Sequence, residues 1–141
     1  MKLTANGTPL SFSYCEEVEI DVNNAPQITF TGTNVTNGKP SDASFEVDIL
    51  HDPTTLKAGQ TYPAATSFAQ PDGSALFYSP NANDTYMTQP GNPQGTVTIT
   101  EVTATTISGT FSGKLFAGDD FSGTSVLYTI TNGSFTAKIN K

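Results

Sequence analysis

Asp119 and Asp120 stand side by side in Ala117-Gly118-Asp119-Asp120-Phe121-Ser122-Gly123. Two carboxylates in a glycine-flanked loop suit Ca²⁺, a hard cation that takes about six to eight oxygen ligands. The stretch lacks the alternating Asp/Asn positions and closing Glu of an EF-hand loop. Its competing role is a turn in which the aspartates cap backbone N–H groups. Asp119 and Asp120 are thus the calcium candidates, and Asn81, Asn83 and Asp84 form a thinner cluster of the same kind. His51 is the sole histidine, and Asp52 follows it. Consecutive residues on a strand face opposite ways, so the two do not form an oriented acid–base pair. No Gly-x-Ser-x-Gly elbow presents a serine nucleophile. The expectation is an exposed histidine at a strand end before Pro53. Glu17, Glu19 and Asp21 recur every second residue, a ladder that would meet Ca²⁺ or a basic partner, or would discourage edge pairing on a solvent face. Such carboxylates lie about 6–7 Å apart along a strand, which is within the separation that glycosidases use. Tyr78 and Tyr86, with Phe77 and Tyr62, are candidates for an aromatic sugar-binding platform. The chain has no Trp, and aromatic side chains in short strands also build cores.

The elements that must position these residues come from an unusual composition. The chain has 141 residues, enough for one domain and too few for two full cores. Charged residues are 13% against a usual share of about 25%, so uncharged side chains must cover the surface. Thr, β-branched and suited to the solvent face of a sheet, supplies 23 of them. The net charge is −7, all six basic residues are Lys, and Arg is absent. That balance argues against nucleic acid and against an anionic membrane surface. Cys15 is the single cysteine, so no disulfide forms within the chain, and it is expected to pack as a small hydrophobe on a strand. No apolar run is long enough for a signal peptide or a transmembrane helix. The composition favours an extracytoplasmic domain whose export signal has been removed.

No segment sustains a helical apolar period. Period-2 stretches recur instead, separated by Gly, Pro, Asn and Asp. Val18, Ile20 and Val22 alternate with Glu17, Glu19 and Asp21. Phe45, Val47 and Ile49 alternate with Glu46 and Asp48. From Gly95 on, Val97 and Ile99 alternate with threonines. Ile107, Gly109, Phe111, Gly113 and Leu115 share a face, and the two glycines there suggest close packing, or a bend under an aromatic neighbour. Asn6-Gly7, Asn37-Gly38 and Asn132-Gly133 are type I′ hairpin signals, the last placed between strands around Tyr128 and Phe135. The pattern predicts about nine or ten short antiparallel strands in a single β-sandwich, or alternatively a partly closed barrel.

The runs Gly95-Thr96-Val97-Thr98-Ile99-Thr100, Ile107-Ser108-Gly109-Thr110-Phe111-Ser112 and Ile130-Thr131-Asn132-Gly133-Ser134-Phe135, with Leu3-Thr4-Ala5-Asn6-Gly7-Thr8-Pro9, resemble an uncharacterised domain of small exported lipoproteins of Bacteroidota. The resemblance covers both ends of the chain and leaves its middle unmatched. It implies a lipid-tethered envelope domain and carries over no catalytic residue. The sequence as a whole therefore points to a non-enzymatic extracytoplasmic binding or structural surface module, monomeric or weakly oligomeric. Its partner would be a glycan or a protein. A lipocalin-like barrel with a small apolar guest in its mouth is the second reading. A glycan-acting hydrolase with paired carboxylates is the third.

Overall fold

The structure, a computed structural model, describes residues 1–22, 25–67 and 69–139, with backbone alone at 19–22 and 25. Eleven strands follow one another: β1 (Lys2–Ala5), β2 (Thr8–Ser11), β3 (Tyr14–Val22), β4 (Ala25–Thr36), β5 (Lys39–Leu50), β6 (Thr61–Pro63), β7 (Gly73–Ser79), β8 (Tyr86–Met87), β9 (Gly95–Val102), β10 (Thr106–Ala117) and β11 (Tyr128–Ile139). A single 3-10 turn, Pro53–Thr55, interrupts them. The two architectures expected from the sequence are thereby separated. β11 pairs with both β10 and β3, so the sheet closes into a seven-strand barrel, with β1–β2 and β6–β9 added at its sides.

Closure explains the one parallel pairing between strands among the described residues, where antiparallel neighbours were expected throughout. A ring of seven strands cannot alternate direction all the way round. The odd step falls between β11 and β3, where Lys138 lies beside Glu16 and Ile139 beside Glu17; the other six neighbours in the ring are antiparallel.

Alternation fills the barrel. Phe30, Phe45, Val47, Ile49, Leu76, Ile99, Leu115 and Ala137 are buried. Aromatic rings stack through the centre: Phe30 on Phe135 at 4.4 Å between centroids, Phe135 on Phe111 at 6.4 Å, and Phe111 on Phe45 at 5.0 Å. Tyr78, Tyr128 and Tyr86 continue the series edge-on. Rings in such offset and tilted arrangements add to the burial of their own area.

Asn6-Gly7 and Asn37-Gly38 turn their hairpins with positive φ at both positions, as expected. Asn132-Gly133 does not. Asn132 has positive φ, but residues 128–139 form one strand. Asn132 sits instead in a bulge, where Thr131 and Asn132 of β11 lie opposite Ser112 of β10 and Gly133 pairs with Phe111. Val126 lies outside the strand and is exposed. In β3 the period was right and the phase was not. Glu17 is 2% exposed and Val18 41% exposed, because Glu17 pairs with Phe30, which the aromatic stack turns inward. The side chains of Glu19 and Asp21 lie outside the described residues. Cys15 is buried, and its burial pushes the thiol pKa up.

Candidate functional site

At one end of the barrel, β5 stops at Leu50 and β7 starts at Gly73, its register partner. The chain between them returns to this rim, and the most chemically organised group of side chains is here. Asp52 caps the 3-10 turn: its Oδ1 accepts from the Thr54 amide at 2.9 Å and from the Thr54 hydroxyl at 2.7 Å. These bonds favour the ionised form and hold its pKa below the usual carboxylate range. Pro53, with φ already fixed, starts the turn. The turn brings Thr55 back to His51, with Oγ1 3.0 Å from Nε2.

The other ring nitrogen faces the far side of the rim. Nδ1 of His51 lies 2.6 Å from Oδ1 of Asp72. Asp72 has φ +59 and donates its amide to the Leu50 carbonyl at 2.8 Å, so the backbone holds the carboxylate in place. Tyr62 packs its ring against the imidazole at 5.2 Å between centroids. Its phenol pKa is pushed up to about 12, by burial first and then by the charge of Asp72. The expected exposed histidine is thus half-enclosed, its side chain 16% exposed against 72% for Asp72. Asp52 is not its acid. The acid comes from 21 residues away, a separation that strand alternation cannot reveal.

His51, Asp52 and Asp72 form one wall of a cavity of about 290 Å³. Pro26, Leu50, Ala69 and Pro71 supply most of the remaining lining, which is largely apolar. Gln70 ties down the covering segment, its Oε1 accepting from the Thr66 amide at 2.7 Å and from the Thr66 hydroxyl at 2.6 Å.

The residues singled out in the sequence are distributed differently. Asp120 is a loop cap: its carboxylate accepts from the Thr124 amide at 2.9 Å, the Ser125 amide at 3.1 Å and the Ser122 hydroxyl at 3.0 Å. The Ser125 amide bond is the main cause of its lowered pKa. Asp119 is exposed and lines a separate concavity of about 450 Å³ with Asn83, Asp84 and Tyr86. Two clusters read separately in the sequence therefore meet at the end of the barrel opposite the rim. Tyr78 is buried in the aromatic stack and offers no surface platform. Among the described residues, no three or more His, Cys, Asp and Glu side chains gather to hold a metal ion. No described helix is long and apolar enough to cross a membrane.

A carboxylate pair that the sequence reading passed over lies on the outer face of β5. Glu46 and Asp48 alternate with the inward Phe45, Val47 and Ile49, yet Asp48 is 6% exposed. Thr29 donates to its Oδ1 at 2.8 Å and Gln27 to its Oδ2 at 2.7 Å. Burial, then the neighbouring Glu46 charge, push Asp48 up to about 7; burial raises Glu46 as well. Neither residue lines the rim cavity or the Tyr86 concavity.

No protein-family model, curated protein or solved structure matches the chain.

Proposed function

We propose that the chain is a binding module that holds a small, mainly apolar ligand at the barrel rim, between Leu50–Asp52 and Ala69–Asp72. The observation that carries this reading is the apolar cavity of about 290 Å³ with polar groups gathered on one wall. Pockets for small molecules have this form: apolar walls give affinity and a few fixed polar groups give orientation. The central aromatic stack supports a guest in the mouth rather than deeper in the barrel.

A fluorescent apolar probe, N-phenyl-1-naphthylamine, tests the site. Its emission is expected to rise saturably with the protein at one equivalent. Ala69→Trp, which places a ring at the mouth, is expected to abolish the rise, and Tyr86→Ala at the other end is expected to leave it intact. Equal emission with wild type and Ala69→Trp would remove the reading.

We also propose an extracytoplasmic setting, supported by the charge-poor, Thr-rich composition and by the lipoprotein resemblance. Fractionation of cells expressing the natural gene checks it, with the protein expected in the envelope; recovery in the cytosol would overturn it.

A further inference from the structure

Asp72, His51 and Thr55 form a continuous array of acid, imidazole and hydroxyl, 2.6 Å at the first link and 3.0 Å at the second. A carboxylate only accepts, so Nδ1 of His51 must donate to Asp72. In the neutral imidazole this leaves the Nε2 lone pair facing Thr55. The hydroxyl has one proton and two acceptors in reach: Nε2 at 3.0 Å and the Asp52 carbonyl at 3.1 Å. When it donates to Nε2, an alcohol, a base and an acid that orients the base stand in line. Nucleophile activation requires that arrangement, on whatever fold it occurs. The parts are held from independent directions, His51 and Thr55 by the capped 3-10 turn and Asp72 by its amide bond to Leu50. Thr55 is exposed, so a reagent reaches its oxygen from solvent.

We propose that Thr55 is an activated nucleophile that takes an acyl group from activated esters. Thr55 Oγ1 bonds to the acyl carbon while its proton passes to His51 Nε2. The carbon–oxygen bond to the leaving group then breaks, and the imidazolium returns the proton to the departing oxygen. The products are acyl-Thr55 and an alcohol or phenol. Water, deprotonated by the same imidazole, releases the acyl group as a free acid and restores the Thr55 hydroxyl. Nucleophile, base and orienting acid are the parts this array supplies. That favours esters with good leaving groups over amides, whose tetrahedral intermediates need strong oxyanion stabilisation. The apolar wall beside His51 favours short aliphatic acyl chains. This goes beyond ligand binding: only the acyl-chain preference draws on the cavity wall, and the acyl transfer itself does not, because Thr55 is exposed.

The full chain incubated with p-nitrophenyl butyrate is expected to release p-nitrophenolate and to gain one butyryl group, located at Thr55 by fragment mass spectrometry. Thr55→Val keeps the β-branched shape and should lose both signals. Thr55→Ser keeps the hydroxyl and should be labelled at residue 55. His51→Ala should slow labelling by about 100-fold or more. Asp72→Asn, a residue type that tolerates positive φ, should slow it by less. Circular dichroism of each variant separates lost chemistry from lost fold. Phenolate release equal in wild type and Thr55→Val, or label confined to lysines, would overturn the proposal. Probe binding at the rim is a separate readout and stands or falls independently.

Discussion

Asp48 stands on the outer side of the barrel and is nonetheless almost wholly buried. An isolated aspartate releases its proton near pH 3.9, and in the fold this one holds it to about 7. Between those values the native chain keeps a proton that the unfolded chain has lost. Stability therefore falls as pH rises through that window and levels off above it. The loss is on the order of 2–4 kcal/mol. Asp48→Asn imitates the protonated acid, since its amide oxygen accepts and its N–H₂ donates towards Glu46. The variant is expected to melt close to wild type at pH 4 and about 5 °C or more above it at pH 8. Melting curves across that range check this, and parallel pH dependence in the two proteins would refute it. Nothing local marks Asp48 for burial. Alternation with Val47 and Ile49 is all the sequence shows, and it assigns such a residue to solvent. His51 has the same problem, because its partner Asp72 is fixed by where β7 starts rather than by any motif. Asp119 and Asp120 show the reverse: their types were legible, and the geometry turns Asp120 into a cap.

At the level of strands more was readable. Alternation located β5, β9 and β10, and the inward glycines of β10 marked close packing: a ring at Gly109, and at Gly113 the Gln94 carbonyl and the Leu76 side chain. Gly109 lies opposite Phe135, and Gly133 opposite Phe111, as cross-strand pairs in which a ring covers a bare backbone. A Cβ at Gly109 would stand 2.6 Å from Phe135 Cζ and 2.8 Å from the Thr98 carbonyl. Phe135 cannot yield easily, because Phe30 stacks on its other side. Gly109→Ala is expected to cost about 2–3 kcal/mol, whereas Thr110→Ala on the exposed face should change stability by less than about 1 kcal/mol. Urea unfolding midpoints give both numbers, and a neutral Gly109→Ala would show that the stack is loose. The phase of β3 was not readable, because Val18, Ile20 and Val22 are the apolar members of the alternation and yet Cys15 and Glu17 are buried while Val18 is exposed. Only register against Phe30 decides the phase, and register is a property of the sheet.

Closure belongs to the whole molecule. The ring needs one parallel seam because it has an odd number of strands, and the seam joins β3 to β11 from opposite ends of the chain. No local pattern encodes such a contact, so a sandwich and a barrel were equally consistent with the same strands. Among the described residues the seam has two residue pairs, as do the joints of β8 with β7 and with β10, against eight between β4 and β5 and nine between β3 and β4. Few ladder bonds hold it, so it is expected to open before the hairpins beside it, in the manner of a local unfolding unit. In native-state hydrogen exchange, amides bonded across the β3–β11 seam should lose protection ahead of those at 45–49 of β5; the Ile139 amide donates to the Thr105 carbonyl and serves as a control on the β10 side. The rim cavity draws on β5, the start of β4 and the 69–72 segment, so this opening need not empty it. If the seam amides exchanged only with the slowest of β5, closure would be part of the global transition. The ring would then have to be treated as one cooperative body.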